Sequence, residues 1–198
     1  MHHIYHTEGI ILGSNDFGET GKFYSIFTRE LGMINATAQG IRKMSSKLRY
    51  VLQDFNYVRV DLVRGKELWR ITSASKTNEL EKISKSELGL KTVANISKLL
   101  KRLLQGEEQN EALFQDVLDG FYVLENKLNT PDISKEEIQN IEMVLVLRIL
   151  YHLGYLGNDG KMNNFINSPF ADDLLPYIAI NRNIILTEIN KALHETQM

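Results

Sequence analysis

The chain has 198 residues, 43% apolar and 24% charged, the make-up of a soluble protein with one large or two small domains. It contains no cysteine, which excludes a disulfide framework, thiolate zinc sites and cysteine nucleophiles. The net charge of −2 hides a split: residues 1–78 carry 11 Lys and Arg against 7 acids, residues 79–198 carry 12 against 18, and a basic half joined to an acidic half points to one anion-binding surface.

The opening MHHIYHTEG has neither the apolar run nor the small-residue cleavage pattern of a signal peptide, so a cytosolic protein is expected. The most apolar stretch, residues 143–147, stops at Arg148, far short of the about 20 residues that cross a membrane, and no membrane partner is expected.

Residues 4–12 mix β-branched and aromatic side chains and read as a strand, followed by a turn-type cluster at Asn15-Asp16-Phe17-Gly18. In residues 22–29, Phe23, Ser25 and Phe27 fall on one side and Tyr24, Ile26 and Thr28 on the other, which is the period of a strand. A turn at Leu31-Gly32 leads to residues 33–41, where Ile34, Ala36 and Ala38 form an apolar row small enough to let a tight barrel close. A burst of positive charge follows: Arg42, Lys43, Lys47 and Arg49, with no acid among them. Residues 57–63 alternate again, Arg64-Gly65-Lys66 makes a hairpin turn, and residues 68–73 return. Five strands with short connections in under 80 residues suit a five-stranded barrel of the oligonucleotide-binding (OB) type.

The pattern turns helical around residues 77–86. Residues 87–104 place Leu90, Val93, Ile96, Leu99, Leu100, Leu103 and Leu104 on one face, and residues 110–128 repeat the device with Leu113, Phe114, Val117, Leu118, Phe121 and Leu124. Thr130-Pro131-Asp132 breaks that helix, and Ser134 with Glu137 forms a capping box for a third, through about Leu153. Residues 143–151 are apolar almost all round and predict the buried centre of the helical domain, in which Arg148 needs an ion-pair partner or a route to water. A polar Gly/Asn loop over residues 154–167, a short helical piece between Pro169 and Pro176, and a last amphipathic helix over about residues 182–193 complete the chain. The fold class is therefore α+β: an OB-type barrel over residues 1–78, then an all-helical domain over residues 79–198.

Enzymatic motifs are absent: there is no G-x-S-x-G, H-E-x-x-H, phosphate loop or dinucleotide fingerprint. Gly18-Glu19-Thr20-Gly21-Lys22 resembles the end of a phosphate loop, but it lacks the first glycine and leads into a strand where a helix N-terminus is needed. His2, His3 and His6, with Glu8 alone beside them, do not make a metal site, and Asp159-Gly160 lacks the alternating acids of a calcium loop. Neither catalytic residues, metal nor cofactor is expected.

The basic cluster carries more. Lys and Arg neutralise backbone phosphates and release condensed counterions, and neighbouring aromatics can stack on unpaired bases. Phe23, Tyr24, Phe27, Tyr50, Phe55, Tyr57 and Trp69 are interleaved with Lys22, Arg29, Arg42, Lys43, Lys47, Arg49, Arg59, Lys66 and Arg70. Each aromatic taken singly is expected in the core; the group Arg42, Lys43, Lys47 and Arg49 is expected on DNA, with Lys22, Arg29 and Arg70 as further candidates.

The order of motifs from Glu8 to Phe55 resembles the RecO family of bacterial recombination mediators. Gly18-Glu19, Phe27-Thr28-Arg29-Glu30-Leu31-Gly32, Gly40-Ile41-Arg42-Lys43, Ser46, Leu52 and Phe55 stand at the family's spacing, and Leu145-Val146-Leu147-Arg148 followed by Leu153-Gly154-Tyr155 resembles its central C-terminal helix. The likeness is weak over residues 75–137. It implies an OB barrel with a helical C-terminal domain, binding of single- and double-stranded DNA, annealing of complementary strands, and work with RecR to help RecA replace the single-stranded DNA-binding protein, whose tail docks on the helices. By position, Arg42 and Lys43 match the family's basic pair and Lys47 its basic loop. One departure is clear. Many members carry a four-cysteine zinc finger after the Leu-Gly-Tyr segment, where this chain has only a short loop over residues 157–168.

Two further readings compete with a DNA-binding mediator. The helices could be the working part of a protein–protein adaptor whose barrel binds DNA weakly, as the modest balance of the basic half allows. A hydrolase or transferase is the poorer rival, since no nucleophile–base or carboxylate pair is readable at local spacing.

Overall fold

The computed structural model describes residues 3–77, 80–130, 133–157, 160, 162–170 and 174–196. His2, Pro131, Asp132 and Asp159, and residues 78 and 79 at the expected domain boundary, lie outside them. The chain divides into two compact units, Met1–Leu80 with Leu104–Phe114, and Glu81–Leu103 with Gln115–Met198.

The first unit is a closed five-stranded barrel: β1 (Ile4–Phe17), β2 (Gly21–Thr28), β3 (Gly32–Ala38), β4 (Tyr57–Arg64) and β5 (Trp69–Lys76). The order around the barrel is β1-β2-β3-β5-β4, returning to β1, and only the β3–β5 pair is parallel. This is the OB topology. A long first strand makes the closure possible. Its first part pairs with β4 (Ile4 opposite Val63), its last part with β2 (Phe17 opposite Gly21), and a bulge between Ile11 and Gly13 bends it. Of Asn15-Asp16-Phe17-Gly18, expected as a turn, the first three residues are therefore strand, and the turn is Gly18-Glu19-Thr20. The polarity of this stretch reflects exposure at the barrel end, where a paired strand needs no apolar face.

The inward row is the one alternation picks out. Tyr24, Ile26, Ile34, Ala36, Ala38, Val58, Val60, Leu62, Trp69 and Ile71 are buried in one cluster, joined by Ile41 and Leu52 from the β3–β4 connection. That connection holds the four-residue helix α1 (Leu48–Val51), whose Leu48 and Val51 pack on the same cluster. The turn into β3 needs Gly32: its φ is +67°, and an added Cβ would collide with the Glu108 backbone. Leu104–Phe114 completes the unit. Phe114 packs against Phe27 and Tyr57, with ring centroids 5.3 and 6.5 Å apart, so Phe27 is fully buried although it lies opposite to the inward row. Trp69 Nε1 donates to Glu107 Oε1 at 3.0 Å, and Arg64 pairs with the other oxygen of that carboxylate.

The second unit is helical: a 3-10 turn (Ile83–Lys85), α2 (Glu87–Leu103), the greater part of α3 (Glu111–Lys127), α4 (Lys135–His152), α5 (Asn163–Asn167) and α6 (Leu174–Glu195). The Ser134–Glu137 capping box opens α4 as expected. Ile138, Ile141, Val144, Leu145, Leu147, Ile149 and Leu150 bury α4 on nearly every side. Two expectations are corrected. The polar loop contains α5, whose Phe165 and Ile166 are buried. The last helix is one element from Leu174, with Pro176 inside its first turn, where a missing N–H breaks no intrahelical bond.

Candidate nucleic-acid interface

The basic residues are positioned by the barrel end. Lys22 opens β2 on the same side as Tyr24 and Ile26, so it ends the inward row at the barrel mouth, where its Nζ donates to Ser14 Oγ at 3.2 Å. Opposite it on β3 stands Ala38, and Ala36 stands opposite Tyr24. The chain then turns, Lys43 N–H donating to Gly40 O at 3.1 Å and Ser46 N–H to Lys43 O at 3.0 Å, while Arg42 N–H ties the loop to Thr20 O at 2.9 Å. Ile41 and Leu52, 1% and 2% exposed, anchor both ends of the basic segment in the core, so the cations between them are held at the surface and do not trail from it.

The result is an open pocket of about 320 Å³ lined by Lys22, Tyr24, Ile41, Arg42, Arg49 and Leu52. Three of the seven residues expected on DNA, separate in sequence, thus share one concavity. Lys43 and Lys47 are exposed on the same loop. Arg49 stacks over the Tyr50 ring at 4.5 Å and donates to its hydroxyl. Arg42 meets Asp16 at 3.2 Å, both well exposed, a pair of small net worth that a phosphate can replace.

The other two candidates lie elsewhere. Arg29 follows the far end of β2, about 20 Å along the strand from Lys22. It lies 4.8 Å over the Phe114 ring and 3.6 and 3.7 Å from Glu8 and Glu111. Tyr57 O–H donates to Glu8 at 2.6 Å and Arg59 Nε at 3.0 Å. The Tyr57 hydrogen bond, against some burial, holds the Glu8 carboxyl below the usual range, and Arg59 and Arg29 add to it. Burial, with that bond, pushes the Tyr57 hydroxyl up to about 12. Arg70 is exposed on the outer wall of β5, across from Thr37 and Val63.

Of the interleaved aromatics, Tyr24, Phe27, Tyr57 and Trp69 are buried, as expected for core, and Phe23 and Phe55 are half-buried. Tyr50, 61% exposed, remains available for stacking, and the structure adds two exposed neighbours that the sequence did not single out, Phe17 at the end of β1 and Met44 at the loop tip. An apolar side chain beside polar ones in a loop carries no periodic signal, so neither could have been found from pattern.

Comparison with known proteins settles the lineage. Residues 1–87, spanning the whole barrel, match the family described as "Recombination protein O N terminal". The chain belongs to the RecO family. The DNA repair protein RecO of Bacillus subtilis is 32% identical over 172 residues, 83% of this chain and 60% of that protein. RecO of Clostridium novyi is 31% identical over 130 residues, covering 63% and 48%, and RecO of Heliobacterium modesticaldum 26% over 152 residues, covering 77% and 52%. The chain spans about half the length of the curated relatives it matches. Gly40-Ile41-Arg42-Lys43, a match to RecO noted from the sequence, is the turn that carries Arg42 to the pocket.

Among the described residues, no helix is long and apolar enough to cross a membrane.

Proposed function

We propose that this protein is a non-catalytic mediator of DNA repair and recombination that binds single- and double-stranded DNA through the barrel end and anneals complementary strands. The observation that carries this reading is the gathering of Lys22, Arg42 and Arg49 around one pocket, with Lys43 and Lys47 exposed beside it, on a barrel of OB topology. Five cations held on a rigid support neutralise phosphates without sequence preference, and screening two backbones at once lets complementary strands meet. The kinship with proteins named DNA repair protein RecO supports the same role.

With RecR, the protein would help load RecA onto DNA coated by single-stranded DNA-binding protein. The helical unit offers a surface for that protein's tail: Tyr177, Ile180 and Ile184 stand exposed along α6, at 64%, 82% and 52%. Their spacing puts them on one apolar stripe of the kind that receives a partner's terminal peptide.

Fluorescence anisotropy of a labelled single strand across a salt series tests the reading. Wild type should show a steep fall of log K with log salt, and Arg42→Ala/Lys43→Ala/Lys47→Ala should flatten the slope by about 2, at about 0.7 per lost phosphate contact. An unchanged slope in the variant would make these residues a solvated rim and move the function to the helices.

A further inference from the structure

The pocket at the barrel end offers more than positive charge. Two of the three buried side-chain polar atoms without a hydrogen-bond partner among the described residues belong to its lining: the Tyr24 hydroxyl and Arg49 Nε. Both are donors. A guanidinium has no acceptor atom, and burial, aided by the charge of Asp54, pushes the Tyr24 hydroxyl's pKa up so that it keeps its proton. Tyr24 is 0% exposed, and its hydroxyl sits in the core with nothing to receive its hydrogen. A buried donor left unmet is destabilising, and two of them on residues that line one cavity make a site shaped for an acceptor that arrives from outside.

The chemistry of that acceptor follows from what surrounds it. Lys22 and Arg42 complete a set of donors that comes from three elements: β2 supplies Tyr24 and Lys22, the following loop Arg42, and α1 Arg49. The acids near them are Asp16, already paired with Arg42, and Asp54, which acts on Tyr24. An apolar ligand would leave both orphaned donors unmet, and a cation would face three positive groups. A carboxylate offers two oxygens in one plane, whereas donors converging from three elements match a tetrahedral oxyanion. We propose that this pocket is a phosphate-binding subsite that takes one phosphoryl group of a DNA strand, with the Tyr24 hydroxyl and the Arg49 Nε–H donating to its oxygens. The proposal rests on the DNA-binding reading above and deepens it: Lys43 and Lys47 attract the backbone by charge, and the pocket holds a single phosphate by directed hydrogen bonds.

Tyr24→Phe is the deciding variant because it removes a donor without removing charge or the ring that fills the barrel. Anisotropy with labelled single strands should show binding weakened about three- to tenfold at fixed salt. The salt slope should equal that of wild type, and the melting temperature should be unchanged or higher, since an unmet buried hydroxyl is gone. Arg49→Lys, which keeps the charge and loses Nε–H, should behave likewise. A Tyr24→Phe affinity indistinguishable from wild type would overturn the proposal. Strands with a 5′-phosphate and with a 5′-hydroxyl tell the source of the phosphoryl group. Tighter binding of the former by wild type but not by Tyr24→Phe assigns the pocket to a strand end, and equal binding, still weakened by Tyr24→Phe, assigns it to an internal phosphodiester. If wild type binds no DNA, the functional reading falls by itself, and the pocket is judged with inorganic phosphate. A rise in melting temperature over chloride and acetate at equal ionic strength, lost in Tyr24→Phe, sustains the phosphate site; no rise overturns it.

Discussion

Arg148 donates through Nη1 to the Asp116 carboxylate at 2.8 Å while only 2% of the residue is exposed. The rest of the guanidinium is met as well: Nε donates to Phe165 O at 2.9 Å, Nη2 donates to Ser168 O, and the group lies 4.9 Å over the Phe170 ring. The second Asp116 oxygen is 2.6 Å from His152 Nε2. A charge inside the most apolar helix is thus turned into a clamp. It ties α4 to α3 and to the chain around α5. Asp116→Ala would leave that guanidinium without its counter-charge. We expect a loss of about 3–5 kcal/mol in urea unfolding, and a smaller loss for Arg148→Met, which removes the charge together with the need to pair it.

Acid sensitivity follows from the same carboxylate. Burial acts to raise the Asp116 pKa, but the His152 hydrogen bond and the Arg148 charge outweigh it and leave it below the ordinary value. The Tyr57 bond lowers Glu8 in the barrel, and the Ser134 backbone N–H lowers Glu137 at the start of α4. A folded pKa below the unfolded one gives stability that is complete above the unfolded value and is lost as pH falls through the folded one. The melting temperature should therefore hold between about pH 7 and 5 and drop below about pH 4, with a shallower drop in Asp116→Asn.

Arg29 and Lys47 should separate cleanly. Arg29 is engaged by Phe114, Glu8 and Glu111, whereas Lys47 is exposed on the basic loop. Arg29→Ala should cost about 1–2 kcal/mol of stability and leave the salt slope of DNA binding unchanged. Lys47→Ala should leave stability within about 0.5 kcal/mol and lower the slope by about 0.7. Paired thermal melts and salt series on the two variants check this.

Gly32 is the backbone position least open to change. Alanine there must adopt a φ of +67° and push its Cβ into the Glu108 backbone, so both the turn into β3 and the docking of the Leu104–Phe114 segment suffer. Gly32→Ala should lose roughly 2–4 kcal/mol, read from the urea midpoint.

The capping box supplies a mild contrast. Ser134 Oγ accepts from Glu137 N–H at 3.1 Å, and the Glu137 carboxylate accepts from Ser134 N–H at 3.0 Å. Ser134→Ala should cost about 1 kcal/mol by the same measurement.

The period-two rows, the Ser134–Glu137 box and the need of Arg148 for a partner were all legible in the sequence, because each depends on residues within a few positions of one another. The inward row Ile34, Ala36, Ala38 is buried as its pattern requires. The basic burst was legible as charge. Its division was not: Arg42, Arg49 and Lys22 meet at a pocket, while Arg29, a further candidate like Lys22, is held about 20 Å away by strand geometry. The end of β1 and the start of α6 were misread for a related reason. Asn15-Asp16 and Pro176 carry local turn signals, and pairing with β2 in one case and a place in a first helical turn in the other overrode them.

By itself, then, the sequence determined most of the strands and helices, which of their faces are apolar and where positive charge concentrates, since all three follow from local spacing. Only the tertiary structure decided which distant residues share a site. The parallel β3–β5 pairing closes the barrel, Asp116 finds Arg148 across 32 positions, and Lys22, Arg42 and Arg49 meet at one pocket. Those are relations between segments brought together by burial of a common core, and no local pattern encodes which partner each segment will meet.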